Sequence, residues 1–254
     1  MLNYIWRIIA TGFCFFIFGV GGLILSLFIF PLIKLIYRNE IKRKKQSRKT
    51  IQYLFKFFIK TMSVCKIFTF DLSETDFLKN LKGHLILANH PSLIDVVVLI
   101  SILPNADCIV KAHLFKNLFL RGVVKSIGYI SNSTPDGLIA DCEESLRSGN
   151  NLIVFPQGTR SQLSSKIKFQ RGAANIALRC QASVELVLIK VIPSALTKNE
   201  PWFKVPVIKP TFSVKKIENM VTIQENTTIK MSKQVREYNR TLENLFIEEL
   251  RRYE

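Results

Sequence analysis

A chain of 254 residues exceeds one average domain but is too short for two large ones with linkers. It is 48% apolar, enough for a full core beside a membrane segment, and its net charge of +17 points to a polyanionic partner, either nucleic acid or an anionic membrane surface. Five scattered cysteines without a CxxC pair argue against a disulfide framework, and three histidines with no second His or Cys at ligand spacing argue against a metal site.

From Ile8 to Ile33 no charged residue interrupts a run rich in Ile, Leu, Phe and Gly. A bilayer core takes about 20 apolar residues as a helix, so this run is long enough to span. A cleavable signal peptide has an apolar region of about 7–15 residues after a basic start and ends at small residues. Here only Arg7 precedes the run, and no small-residue cleavage site follows. Pro31 and the glycines Gly12, Gly19, Gly21 and Gly22 allow a kink, so a membrane-embedded helix is expected, either spanning or re-entrant.

Lys34, Arg38, Lys42, Arg43, Lys44, Lys45, Arg48 and Lys49 come next, opposed by Glu40 alone. Each such charge beside an anionic leaflet is worth about 1 kcal/mol. Basic residues stay on the cytoplasmic side, which implies a cell (inner) membrane protein with the remaining chain in the cytoplasm. A solvated basic linker is the plainer alternative. Ile51, Leu54, Phe55, Phe58, Ile59 and Met62 then recur at helical spacing around Lys56 and Lys60. This amphipathic helix suits the headgroup region or packing on a globular domain.

Beyond Lys82 short apolar runs alternate with helical stretches. Strands are predicted at 84–88, 108–111, 151–155, 184–191 and 211–215, and helices at 92–103, 114–127, 136–148, 172–180 and 232–253. The alternation predicts an α/β fold, a mixed sheet flanked by helices. HLILA and NLIVF lack polar alternation, as strands buried on both faces do. The expected organisation is a membrane helix with its basic segment at 1–48, an amphipathic helix at 49–80 and a catalytic domain at 81–254. Pro201–Pro206 reads as a surface loop whose Trp202 and Phe203 suit contact with lipid.

The strand HLILA runs into Asn89-His90-Pro91-Ser92-Leu93-Ile94-Asp95. Inside one helix His90 and Asp95 would point about 140° apart. Pro91 pushes His90 out of helical geometry, so His90 belongs to a turn, with Ser92 as the expected N-cap and Asp95 in the first helical turn. Asp95 can then bond one imidazole nitrogen and leave the other as a base, the logic of a catalytic triad whose nucleophile is a substrate hydroxyl. A capping-box variant and an ordinary turn histidine would explain the same residues without chemistry.

The strand NLIVF ends in a second polar turn, Pro156-Gln157-Gly158-Thr159-Arg160-Ser161. Ligand sites of α/β sheets gather at the carboxyl ends of strands. Gly158 permits close backbone approach, Thr159 offers a donor, and Arg160 offers a planar fork for phosphate or carboxylate. Arg171 opens the next helix, a natural anion site, and Lys166 and Lys168 lie in the loop before it.

Together, NHPSLID and FPQGTRS resemble the paired motifs of the glycerophospholipid acyltransferase family, of the 1-acylglycerol-3-phosphate and lysophospholipid acyltransferase type. The resemblance covers roughly residues 80–195 and a similar membrane-bound N-terminus. It implies His90 as general base with Asp95 as its partner, and Gly158, Thr159 and Arg160 as binders of the acceptor's phosphate. Lys111 resembles a family lysine near that phosphate, and Arg171 and Gln157 complete the candidate acceptor site. Implied partners are a phospholipid membrane, a lipid acceptor, and acyl-CoA or acyl carrier protein as co-substrate, with no cofactor and no nucleic acid.

Two departures stand out: Gln157 replaces the family's glutamate, and Ser131-Asn132-Ser133-Thr134 replaces its Asp-Arg. The implied reaction is O-acylation of a lysophosphatidic-acid-like acceptor. Another lipid acceptor (a glycolipid, an aminoacyl lipid or a polyene-type lipid) and a non-catalytic lipid-binding protein are the alternatives.

Overall fold

The runs HLILA and NLIVF form adjacent parallel strands at the middle of one sheet. The structure, a computed structural model, describes residues 2–116, 121–132, 135–161, 167–218 and 230–252. Seven strands stand in the order β1-β7-β6-β2-β5-β3-β4. They are β1 (Thr69–Asp71), β2 (His84–Ala88), β3 (Ala106–Val110), β4 (Ile130–Ser131), β5 (Asn151–Val154), β6 (Ser183–Ile192) and β7 (Thr211–Lys216). β6 and β7 are antiparallel and the other neighbours parallel, so the sheet is mixed, as expected. The residues of β1 and β4 carry no period in the sequence because neither strand is long enough to show one.

Side chains alternate across the sheet. Leu85, Leu87, Leu152, Val154, Leu186 and Leu188 enter one core, and Ile86, Ala88, Ile153, Val187 and Ile189 enter the other. The first core is covered by α6 (Pro135–Arg147), α7 (Arg171–Arg179) and α8 (Met231–Arg251). The second is covered by α3 (Glu40–Val64) and α4 (Asp95–Ile102), with α1 (Leu2–Ile24) packed outside. The stretch expected as one helix at 114–127 is a 3-10 turn, Ala112–Phe115, and a short α5 (Arg121–Ile127). Residues 117–120, between them, lie outside the described residues, as does Lys166.

The basic stretch and the amphipathic stretch form one continuous helix, α3. Its Ile51, Phe58, Ile59 and Met62 are buried. Arg48, expected among the leaflet-facing cations, is buried instead because it lies on the same helical face as Ile51. Its Nη2 meets Asp107 Oδ2 at 2.7 Å, and Ser145 Oγ donates to the same oxygen at 2.8 Å. Burial raises the Asp107 carboxyl above its ordinary range, against the pull of Arg48.

α1 continues through a π-helical turn (Leu25–Ile29) into α2 (Phe30–Ile36). Asn3–Ile36 is long and apolar enough to cross a membrane by length and composition. It is nevertheless held to the globular part along its length. Trp6 Nε1 donates to Cys65 O at 2.9 Å, and Arg7 Nη2 donates to Pro206 O at 3.0 Å and to Val207 O. Phe18 stacks on Phe55, and Ser26 lies against Gly122. Ile5, Ile9, Phe13, Phe16, Leu27, Phe28, Leu32 and Leu35 remain on the open side.

Candidate active site

β2, β5 and β3 are parallel neighbours, so their carboxyl ends open on one edge. Leu87 pairs with Val154, and Ile153 with Cys108. Continuing that register sets Asn89, Pro156 and Lys111 level with one another. Strands lie about 4.8 Å apart, so Lys111 stands about 10 Å to the side of the strand that delivers His90. Both motif turns, and Lys111, therefore leave the sheet on the same side.

Asn89 anchors the first turn. Its Nδ2 donates to Ile189 O and its Oδ1 accepts from Ile189 N, both at 2.7 Å and both buried. The side chain thus mimics a further ladder pair where β2 stops. Pro91 then turns the chain, and α4 begins at Asp95 rather than at Ser92. Ser92 is not the N-cap: its hydroxyl donates to Ala195 O at 3.0 Å, and Leu93 N–H donates to Leu196 O at 3.0 Å. These bonds hold residues 92–94 outside the helix.

His90 Nδ1 lies 2.7 Å from Asp95 Oδ2, and Ser92 N–H donates to the same oxygen at 2.8 Å. With Nδ1 carrying the hydrogen, Nε2 is left as the basic nitrogen. Phe155 stacks on the imidazole, with ring centroids 4.2 Å apart and planes 23° from parallel, and fixes its tilt. Asp95 is fully buried, and burial pushes its carboxyl up to about 6. The hydrogen bond and charge of His90, the Ser92 N–H and the charge of Arg160 pull the other way.

The second turn is sewn to the first. Gln157 Oε1 accepts from His90 N–H at 2.7 Å, and Gln157 Nε2 donates to Ser161 Oγ at 2.9 Å. Ser161 N–H returns a bond to His90 O at 2.8 Å. Gly158 takes φ +68°, a left-handed conformation that strains any residue with a Cβ. Gly158 and Thr159 are exposed.

Arg160 Nη1 donates to Leu196 O and Thr197 O, both at 3.1 Å, which fixes the guanidinium before any ligand arrives. Gln170 N–H donates to Pro156 O at 2.7 Å, so exposed Arg171 opens α7 beside this turn. Asn132, where the family's second motif differs, accepts from Ala112 N–H at 3.0 Å and closes the turn after Lys111. Ser133 and Thr134 lie outside the described residues.

The sequence brought His90, Asp95, Gln157 and Arg160 forward as candidates, and the fold draws them together. Lys111 and Arg171 are exposed at the margin. The carbonyls of Ala195, Leu196 and Thr197 had no sequence signal, because any residue supplies a carbonyl. Phe155, read only as the end of a strand, was missed as the imidazole's stacking partner. An imidazole steadied by a buried carboxylate, with the neighbouring Ser92 hydroxyl buried and committed, suits base-assisted transfer to a hydroxyl that a substrate brings.

The family model for Acyltransferase matches residues 69–197, half of the chain, and the chain belongs to that family. A 1-acyl-sn-glycerol-3-phosphate acyltransferase of Helicobacter pylori is 33% identical over 116 residues, covering 42% of this chain and 49% of that protein. Human 1-acyl-sn-glycerol-3-phosphate acyltransferase beta is 24% identical over 144 residues, covering 53% and 51%. The chain thus spans about half the length of these relatives. The crystal structure of the 1-acyl-sn-glycerophosphate acyltransferase PlsC from Thermotoga maritima superposes with a TM-score of 0.66 at 17% identity, over 98% of this chain and 99% of that one. At that identity the likeness is one of fold.

Proposed function

We propose that the chain moves a fatty acyl group from an acyl thioester, on coenzyme A or acyl carrier protein, to the free hydroxyl of a lysophosphatidic-acid-like acceptor. The 2.7 Å bond between His90 Nδ1 and Asp95 Oδ2 carries this reading. His90 Nε2 takes the hydroxyl proton as the oxygen attacks the thioester carbonyl. The tetrahedral intermediate then collapses, the C–S bond breaks, and His90 returns the proton to the departing thiolate. No acyl-enzyme is needed. The activity named for the relatives supports this chemistry. Arg160 holds the acceptor phosphate, with Gly158 and Thr159 beneath it and Lys111 and Arg171 at the margin. The thioester is a co-substrate, and no cofactor takes part.

The polyanion that the +17 charge matches is an anionic membrane rather than nucleic acid. Contacts from Trp6 in α1 and from Ser26 in the π-helical turn after it hold this apolar stretch against the globular part, which supports a helix lying along one leaflet rather than crossing it. It lies in the plane of one leaflet, the cytoplasmic one, with its open apolar side in the acyl region.

Mass spectrometry of lipids after incubating purified protein with mixed lyso-lipids and acyl donors tests this reading. Acylated lysophosphatidic acid is the expected product, and His90→Ala is expected to remove it. Unchanged acylation by His90→Ala, or none by the wild type, would overturn the reading. A second reading, acylation of a different lipid, is favoured by one observation: both polar ends of the Gln157 amide are spent within the protein. The same experiment separates the two, because the product identifies the acceptor.

A further inference from the structure

We infer that the segment from Pro201 to Ile208 is a second membrane-seated element, which rests in the headgroup region of an anionic leaflet and braces the catalytic turn from there. The inference builds on the in-plane membrane reading above. In this segment Trp202, Phe203, Val207 and Ile208 are 45%, 53%, 79% and 72% exposed. Four large exposed apolar side chains within eight residues are of the kind that marks an interaction surface.

Its occupant follows from what it adjoins. Trp202 packs over Gly12, where a Cβ would come within 3.0 Å of its ring, and lies edge-on to Phe15. Phe203 meets Trp202 at 5.6 Å. Arg7 holds the carbonyls of Pro206 and Val207. The segment is therefore continuous with the apolar helix. Tryptophan prefers the membrane–water boundary. Lys209 borders the segment and is exposed, Lys198 stands at its other end, and both suit phosphate headgroups. Lys204 is balanced by Glu200 at 2.6 Å.

The same segment reaches the active site through a short chain of contacts. Glu200, paired with Lys204, accepts from the Thr197 hydroxyl at 2.5 Å. Thr197 O and Leu196 O hold Arg160, Leu196 O holds Leu93 N–H, and Ala195 O holds Ser92 Oγ. Leu196 sits at φ +57°, so these carbonyls depend on the fold to keep their aim. Seating of the segment in lipid steadies residues 195–197, and with them the anion-binding arginine and the turn that carries His90.

Trp6 and Trp202 are the two tryptophans, so Trp6→Phe leaves Trp202 as the single reporter. The full-length variant is mixed with vesicles of phosphatidylcholine and phosphatidylglycerol whose acyl chains are brominated near the headgroup or near the terminal methyl. Flotation with the vesicles, a blue-shifted emission and stronger quenching by the shallow bromines are expected. Flotation without a shift or quenching defeats this inference and leaves the membrane reading intact. Failure to float defeats both.

A second arm uses Phe203→Asp with Ile208→Asp, two exposed positions. With vesicles present, turnover of a dissolved short-chain acceptor should fall about tenfold as the active site loses its brace, and without vesicles it should match the wild type. No loss with vesicles present, or an equal loss without them, overturns the bracing role.

Discussion

Gln157 reaches across from the second motif turn and accepts the backbone N–H of His90 at 2.7 Å, while its amide nitrogen donates to Ser161 at 2.9 Å. A glutamate accepts the first bond equally well but cannot donate the second, which leaves the Ser161 hydroxyl to turn and donate instead. It also brings a negative charge close to the imidazole. Gln157→Glu is therefore expected to keep activity and to move the acid limb of kcat/KM to higher pH, since a nearby anion favours imidazolium. Gln157→Leu strands the His90 N–H, a cost of about 1–3 kcal/mol that should lower kcat/KM roughly tenfold to a hundredfold. Pre-steady-state and steady-state kinetics across pH check both. A Gln157→Leu enzyme with wild-type turnover would show that the cross-turn bond does not position His90.

Asp95 combines complete burial with a carboxyl pushed up to about 6. Desolvation makes its charge costly, and His90 and the Ser92 N–H recover part of that cost. As pH falls below about 6, Asp95 takes up a proton and the electrostatic hold on Nδ1–H weakens, so kcat/KM should fall in that range. The folded protein keeps this proton more tightly than the unfolded chain. The stability linked to Asp95 is therefore greatest at low pH and declines as pH rises from the ordinary carboxylate range toward 6. Asp95→Asn should lower kcat by about 10²–10⁴. It should also raise or preserve the Tm at neutral pH, because no charge need be buried. A fall in Tm that parallels the lost activity would assign Asp95 a structural role only.

Much of this arrangement was legible in the sequence. The α/β alternation, the two polar turns at strand ends and the part Pro91 plays in freeing His90 from the helix all followed from residue types and spacing. Three features escaped for distinct physical reasons. Ser92 looked like an N-cap because capping is its commonest use beside a helix start, but long-range carbonyls at 195 and 196 hold its neighbourhood outside the helix. Arg48 looked like one more cation in a basic run, and only the helical face it shares with Ile51 sends it inward to Asp107. The short strands β1 and β4 carry no period, and their pairing is decided by neighbours far along the chain.

Arg160 is expected to serve the acceptor more than the chemistry. Its Nη1 binds two carbonyls, so the guanidinium plane is set by residues 196 and 197. Lysine keeps the charge but cannot hold two carbonyls and present a planar fork. Arg160→Lys should raise KM for a phosphorylated acceptor about tenfold or more, with a smaller change in kcat. KM for the acyl thioester should stay near its wild-type value. Initial-rate kinetics with each substrate varied in turn check this. A selective rise in the thioester's KM would move Arg160 to the donor side of the site.

The buried pair of Arg48 and Asp107 makes a prediction about folding rather than catalysis. The two side chains are 7% and 2% exposed, 2.7 Å apart, at the amino ends of the strands whose carboxyl ends carry the site. Arg48 comes from α3 and Asp107 from β3, and Ser145 of α6 adds a bond to the same carboxylate, so the cluster ties both helical layers to the sheet. Removing one partner leaves the other charged without compensation, which typically costs about 3–5 kcal/mol. Arg48→Met should therefore lower stability by that order. The double variant Arg48→Met with Asp107→Asn should recover a large part of it, because the orphaned charge is gone. Urea unfolding of the detergent-solubilised protein, with the slope compared among the three proteins, measures the effect. If the double variant is no more stable than the single one, Arg48 acts through packing of its aliphatic stem and the ion pair contributes little. kcat of the folded fraction should be unchanged in all three, since the cluster lies at the opposite end of the strands from His90.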